Sequence, residues 1–199
     1  MVWLVAGLGN PGAKYAKNRH NVGFHVVDEL GERRGAGGFK NKLGADVASC
    51  VLAGHSVLLV KPTEFMNRSG YALSRHAQYR DVAAEHIVVV HDEIDLEFGR
   101  LKIKSGGGHG GHNGLRSIVS QLGSREFHRV RVGVGKPPGG SDYGDRRVSN
   151  HVLSDFPKHL ETDLRDVVNA AADAVELILR DGPAAAMNAY NGRDVIAPS

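Results

Sequence analysis

An α/β fold is predicted, as a single domain whose mixed, mostly parallel sheet is flanked by helices. Three observations predict it. Apolar runs such as 2–8 and 87–90 have the length and continuity of strands covered on both faces. Between such runs lie stretches with apolar residues at helical spacing, so strand and helix alternate along the chain. Finally, 199 residues that are 41% apolar fit one domain with helices on both sides of a sheet.

Residues 2–8 form the first strand, ended by Gly9-Asn10-Pro11-Gly12. A helix is expected to begin near His20-Asn21, to carry Phe24, Val27 and Leu30 on one face, and to stop before Gly35. Residues 35–44 read as a flexible basic loop. Residues 45–52 and 56–61 read as paired strands joined through Ala53-Gly54-His55, and Lys61-Pro62 ends the second, because proline cannot continue a central strand. Asn67 or Ser69 caps a helix running to about Tyr79. The strand 87–90 ends in His91-Asp92-Glu93-Ile94-Asp95. Residues 99–104 alternate apolar with basic, as a half-exposed strand does. The glycine-rich stretch 105–114 leads into a helix through Leu115, Ile118, Val119 and Leu122. Residues 128–134 alternate again, with Val130 and Val132 on one face and Arg129 and Arg131 on the other. A Pro/Gly loop follows at 137–144, then an amphipathic helix over 160–179. The domain is expected to span 1–190, with 191–199 as a loose tail.

The single Cys50 forms no internal disulfide and no thiolate metal cluster. No run is long and apolar enough for a transmembrane helix, and no signal-peptide pattern opens the chain, so a cytoplasmic protein without membrane contact is expected. The net charge of +3 hides an asymmetry. Between Arg100 and Lys136 eight bases face one acid, Glu126, whereas residues 151–183 carry seven acids against three bases. A basic block of this kind is a candidate phosphate-binding footprint, against the plainer reading of a basic face without a partner.

Gly7, Gly9 and Gly12 spell the G-x-G-x-x-G fingerprint of dinucleotide-binding folds. That fingerprint needs a helix at the second or third glycine, so that helix amides meet the pyrophosphate. Pro11 and the polar stretch 13–18 delay the helix instead, and the acids near the expected distance, Asp28 and Glu29, fall inside a helical pattern. The chemistry-bearing residues Asn10, Asn67, Asp92 and Asn113 each follow a predicted strand, and His20 opens a predicted helix. Sites in α/β folds assemble at the carboxyl ends of strands, so these residues are expected to share one crevice. Singly, each reads equally well as a turn or cap residue. Together, a carboxylate that accepts from one imidazole nitrogen leaves the other as a base. With no G-x-S-x-G elbow and no cysteine in a comparable loop, water is the expected nucleophile. His109 and His112 suggest zinc, but no third ligand stands at metal-site spacing, and no metal is expected.

Three motifs together resemble the bacterial peptidyl-tRNA hydrolases. They are Gly7-Leu8-Gly9-Asn10-Pro11-Gly12 with Tyr15 and Arg19-His20-Asn21-Val22-Gly23; Lys61-Pro62 with Phe65-Met66-Asn67-Arg68-Ser69-Gly70; and His91-Asp92-Glu93-Ile94-Asp95-Leu96 followed by 106–114. Their order and spacing cover most of residues 4–135. Asn18 and Glu64 depart from the family's more usual threonine, which touches only local loop geometry.

The resemblance implies a monomeric α/β enzyme, free of metal and cofactor, that hydrolyses the ester between a peptide and the terminal ribose of tRNA. It implies His20 as catalytic histidine, Asp92 as its partner, and Asn10, Asn67 and Asn113 as substrate-positioning amides, with His112 grouped beside them. Tyr15, Phe65 and Met66 are expected as an apolar floor for peptide side chains or the terminal adenine, although Phe65 and Met66 also fit a plain core role. Peptidyl-tRNA is expected to bind through its acceptor arm and 3′-CCA end, with the 5′-phosphate clamped by Lys104 and an arginine, Arg131 ahead of Arg129. The rival reading is a non-catalytic RNA-binding paralogue of the same fold.

Overall fold

The computed structural model describes residues 2–196. Seven strands form one sheet in the order β2-β3-β4-β1-β5-β7-β6. They are β1 (Val2–Gly7), β2 (Lys40–Lys42), β3 (Ala45–Leu52), β4 (His55–Pro62), β5 (Ile87–Glu93), β6 (Leu101–Ser105) and β7 (His128–Gly133). The pairs β1–β4, β1–β5 and β5–β7 are parallel, and β2–β3, β3–β4 and β6–β7 antiparallel. The mixed sheet flanked by helices is as expected, but it is not mostly parallel: three of its six pairings are antiparallel, because β2, β3 and β6, toward the sheet's edges, are joined as hairpins or returns rather than through helical crossovers. Short β2 lies inside the stretch read as loop. Its lysines hid it: Lys40-Asn41-Lys42 is wholly exposed at the sheet edge and carries no apolar alternation.

Helices cover both faces. α1 (Val22–Arg33), α5 (Glu161–Asp181) and α6 (Pro183–Tyr190) lie on one; α2 (Ser69–Arg80) and α3 (Asn113–Leu122) on the other. The alternation of β1 shows why its sequence is apolar throughout. Trp3 and Val5 join the core under α1 and α5, while Leu4, Ala6 and Leu8 join the core under α2 and α3. In α5 the buried residues Val167, Ala171, Val175 and Ile178 recur at helical spacing, each larger one contributing about 1.5–3 kcal/mol of burial. Gly182, at φ +86°, ends α5, and Pro183 starts α6 at the position where its missing N–H costs nothing. The sequence reading ran to 179 and saw neither α6 nor the short α4 (Arg146–Val152), capped by Asp145. α4 buries only Val148 and Val152, too few for a periodic signal.

The carboxyl ends of β4, β1 and β5 lie side by side. The chain leaves β1 through α1 on one face and reaches β5 through α2 on the other, so a topological switch point opens beside β1. Residues 191–196, expected as part of a loose tail, are held along β6. The Asn191 side chain bonds both backbone groups of Ile103, at 2.6 Å and 3.1 Å, and Val195 N–H donates to Gly99 O at 2.8 Å. Residues 197–199 lie outside the described ones. No helix among the described residues is long and apolar enough to cross a membrane.

Candidate active site

The first loop of the site is shaped by close packing. A Cβ on Gly7 would fall 2.1 Å from the carbonyl oxygen of Gly23, so glycine is what lets α1 lie against β1. Gly12 takes φ +105° and turns the chain away from β1. After 3-10 turns at Ala13–Tyr15 and Arg19–Asn21, α1 begins at Val22. The late helix start that argued against a nucleotide loop therefore sets His20 at the head of α1. That turn is pinned from outside: Arg19 bonds Ser154 Oγ (2.6 Å) and Asp155 O (2.8 Å), and Asn18 donates to the Asp155 carboxylate at 2.7 Å.

Alternation along β5 sends Val88, Val90 and Asp92 toward α1 and His91 toward α3. Asp92 is fully buried. Its Oδ1 accepts from His20 Nδ1–H at 2.8 Å and from His112 Nε2–H at 2.9 Å. Its Oδ2 lies 3.1 Å from the Tyr143 hydroxyl, which also stands 3.0 Å from the Asp92 carbonyl. Burial alone would raise the carboxyl's pKa, but the two imidazoles and their hydrogen bonds outweigh it and hold the group ionised, well below the usual carboxylate range.

Tautomers follow from the partners. Nδ1 of His112 accepts from Gly114 and Leu115 N–H at 3.1 Å and 3.3 Å, capping α3, so its proton is on Nε2. His20 donates through Nδ1, which leaves Nε2 with a lone pair. Ligand-capable atoms of His20, Asp92 and His112 lie within 4.8 Å of one another, a spacing a metal could span. Each is joined to the next through a proton, however, and His112's other nitrogen is held by backbone, so these distances are those of a hydrogen-bond chain. His109 has a local role: its Nδ1 accepts from Gly111 N–H at 3.0 Å.

Asn10 is held on three sides. Asn21 brackets its backbone, accepting from Asn10 N–H and donating to Asn10 O, both at 2.9 Å. Its own Oδ1 accepts from Met66 N–H at 2.8 Å. A crevice of about 210 Å³ is lined by Asn10, His20, Phe65, Met66, Asn67, Asn113, Tyr143, Ser149, Val152 and Leu153. His20, Asn10, Asn67 and Asn113 are therefore brought together. Asn67 and Asn113 are exposed, and their side chains form no hydrogen bond among the described residues. Met66 is buried, whereas Phe65 is 56% exposed. Tyr15 and His112 do not line the crevice; Tyr15 meets Phe65 edge-on at 6.4 Å, and His112 lies behind Asp92.

Asn113 arrives by an unexpected route. β6 runs antiparallel to β7, so its carboxyl end, Ser105 opposite His128, is at the far edge from Asp92, which lies opposite Val132. The glycine stretch 106–112 carries the chain back. Arg129, expected on an exposed face, is buried and holds this return: its guanidinium donates to Gly108 O at 2.6 Å and to Gly107 O. Burial, with Arg131 and Arg125 nearby, lowers its pKa to about 10. Beside it a pocket of about 290 Å³ is lined by Lys104, Arg129, Arg131 and Glu93 among others. Arg131 pairs with Glu93 through Nε (2.9 Å) and a terminal nitrogen (2.7 Å), and Lys104 makes no ion pair among the described residues.

Two contributors leave no local signal in the sequence. Asn21 lies within Arg19-His20-Asn21-Val22-Gly23, but no pattern there reveals that it holds Asn10. Tyr143 sits in an irregular loop without any signal.

The fold and crevice define a single-domain α/β protein with a polar site at a sheet switch point. The family model described as Peptidyl-tRNA hydrolase matches residues 4–198. The peptidyl-tRNA hydrolase of Frankia casuarinae is 48% identical over 189 residues, 95% of this chain and 93% of that protein. That of Mycolicibacterium smegmatis is 49% identical over 187 residues, 93% and 95% of the two. The crystal structure of the Acinetobacter baumannii enzyme matches at TM-score 0.88 and 37% identity, covering 98% of this chain and 96% of that one. The chain belongs to the peptidyl-tRNA hydrolase family.

Proposed function

We propose that the chain hydrolyses the ester joining a peptide to the 3′-terminal ribose of peptidyl-tRNA, with water activated by His20 and Asp92. The observation that carries this mechanism is the bond from His20 Nδ1–H to the buried Asp92 carboxylate, at 2.8 Å, on the wall of the crevice. Asp92 holds the imidazole in the tautomer whose Nε2 accepts a proton, and stabilises the imidazolium that results. Nε2 takes a proton from water as the oxygen attacks the ester carbon. The C–O bond to ribose then breaks, and the imidazolium returns its proton to the leaving ribose oxygen, giving intact tRNA and a peptide carboxylic acid, which releases its own proton to solvent. General-base help of this kind is worth roughly 10²–10⁴ in rate.

Asn10, whose Oδ1 is held by Met66 N–H, and the Asn113 amide, unpartnered among the described residues, both line the crevice and are suited to the peptide backbone and the developing oxyanion, where one donor is worth about 10²–10³. Asn67 and exposed Phe65 supply the opposite lip, with Met66 as floor; Tyr15 acts through Phe65, and His112 through Asp92. An ester is reactive enough that this apparatus needs no covalent intermediate. Lys104 and Arg131 grip the 5′-phosphate of the acceptor arm, which brings the 3′-CCA end toward His20. The engagement of Arg129 with the glycine-loop carbonyls supports Arg131 as the clamp's arginine. Phosphate contacts give affinity without reading base sequence, as an enzyme acting on many tRNAs requires. The protein works as a monomer in the cytoplasm, where peptidyl-tRNA arises.

His20→Ala is expected to abolish single-turnover hydrolysis of an N-blocked aminoacyl-tRNA while tRNA binding persists. Retained hydrolysis in that variant would remove His20 as the base. Wild-type activity in the presence of a chelator is expected too; activity lost only on chelation would favour a metal-dependent enzyme, and no activity with or without chelator a binding-only protein.

A further inference from the structure

A buried carboxylate has about four acceptor positions to satisfy, and leaving one unfilled is costly. In Asp92 the two imidazoles share Oδ1, while Oδ2 has one donor among the described residues, the hydroxyl of Tyr143 at 3.1 Å. That hydroxyl is equally near the carbonyl of the same residue, at 3.0 Å, so it bridges the backbone and side chain of Asp92 and opposes rotation of the carboxylate. The phenol ring adds a wall. It lies 6.3 Å from the His20 ring at an interplanar angle of 28°, and 5.0 Å from the His112 ring at 68°.

The loop carrying Tyr143 is built to hold it there. Asp145 caps α4 through Arg147 N–H at 2.8 Å and pairs with the Arg147 side chain. Tyr143 packs against the small core of Ile94, Val134, Val148 and Val152.

We infer that Tyr143 is a positioning residue for the reaction: it holds Asp92 so that one carboxylate oxygen faces both imidazoles, and it walls the His20 ring into place. The inference rests on the His20–Asp92 reading and deepens it. Burial and the charges of Asp92 and Glu93 push the phenol's pKa upward, so the hydroxyl remains a donor throughout the working range.

Tyr143→Phe removes the hydroxyl and keeps the ring. The Asp92 carboxylate, short of one donor, is freer to rotate and no longer keeps one oxygen turned toward both imidazoles. Under single-turnover conditions the rate is therefore expected to fall about tenfold, a fraction of the roughly 10²–10⁴ that the base supplies, with tRNA affinity unchanged. The NMR resonance of the His20 Nδ1–H, which reports its bond to Asp92, is expected to shift as well. Both are read below the melting transition, so a lower melting temperature does not confound them. Tyr143→Ala, which also loses the wall, is expected to be slower still. A Tyr143→Phe enzyme with wild-type rate overturns the inference, as does a slower enzyme whose His20 Nδ1–H resonance is unmoved. His20→Ala assayed alongside separates the two readings. If it is active, the base assignment fails; if it is inactive while Tyr143→Phe is unaltered, only the role of Tyr143 fails.

Discussion

His91 occupies the strand position beside Asp92 and faces the opposite way. Its ring meets His112 edge-on at 4.9 Å, and its Nδ1–H donates to the Asp92 carbonyl at 2.7 Å. Nε2 is buried without a partner among the described residues. Burial, aided by His112, holds the imidazole's pKa well below its usual value, so the folded protein keeps it neutral. In the unfolded chain it titrates near the ordinary histidine value of about 6.5. Below that pH the unfolded state binds the extra proton, and stability is lost as pH falls, approaching about 1.4 kcal/mol per pH unit from this residue alone. His91→Asn keeps a donor and removes the titration. Its unfolding free energy in urea, measured between pH 7 and pH 5, is expected to fall less steeply than the wild type's. Asp92 acts in the same direction at lower pH: held ionised in the fold, it contributes stability above its unfolded pKa and loses that contribution as acid protonates it.

Among the elements, the loop after β1 shows how a turn becomes a site. Asn21, at the last residue of the turn before α1, is buried and makes two bonds to Asn10, so its amide rather than the glycines sets Asn10's position. Asn21→Ala leaves two buried backbone groups unpaired, each costing about 1–3 kcal/mol. A lowered melting temperature is expected, together with a drop in single-turnover rate that leaves tRNA affinity intact. The glycine stretch 106–112 makes a comparable point. Its length and flexibility are legible in the sequence, but its course is not: rather than leaving a strand end at the crevice, it brings the chain back from the far edge, because β6 is antiparallel. No local signal distinguishes a strand's direction, since residue alternation is the same either way.

At the scale of the whole molecule, the basic block of Arg100–Lys136 is sorted by the fold into distinct tasks. Arg129 is internal and braces the glycine stretch. Arg131, Lys136 and Arg100 are paired with Glu93, Asp95 and Glu97. Lys104 keeps its charge free of acids among the described residues, on the pocket shared with Arg131. Lys104→Ala is therefore expected to weaken tRNA binding and to reduce the slope of log affinity against log salt by about 1, with the chemical step unaltered. A titration of tRNA binding at several salt concentrations checks it, and an unchanged slope removes Lys104 from the clamp.

Local residue patterns are enough to reveal the class of fold, most of the elements, and the cast of residues that meet at the crevice: His20, Asn10, Asn67 and Asn113, with Asp92 bonded behind His20. These were legible because they rest on local physics: apolar runs long enough for a strand, helical spacing, glycine and proline at turns, and motifs close in the chain. Tertiary structure alone decided how the cast is held. Asp92 meets His20 across 72 positions of chain, and Tyr143 meets Asp92 across 51. The direction of β6, the burial of Arg129 and the attachment of residues 191–196 to β6 also depend on what packs beside each segment. A side chain's partner across the sheet leaves no trace in its own neighbourhood of sequence, because the energy that selects it comes from burial and hydrogen bonding made only when the sheet is complete.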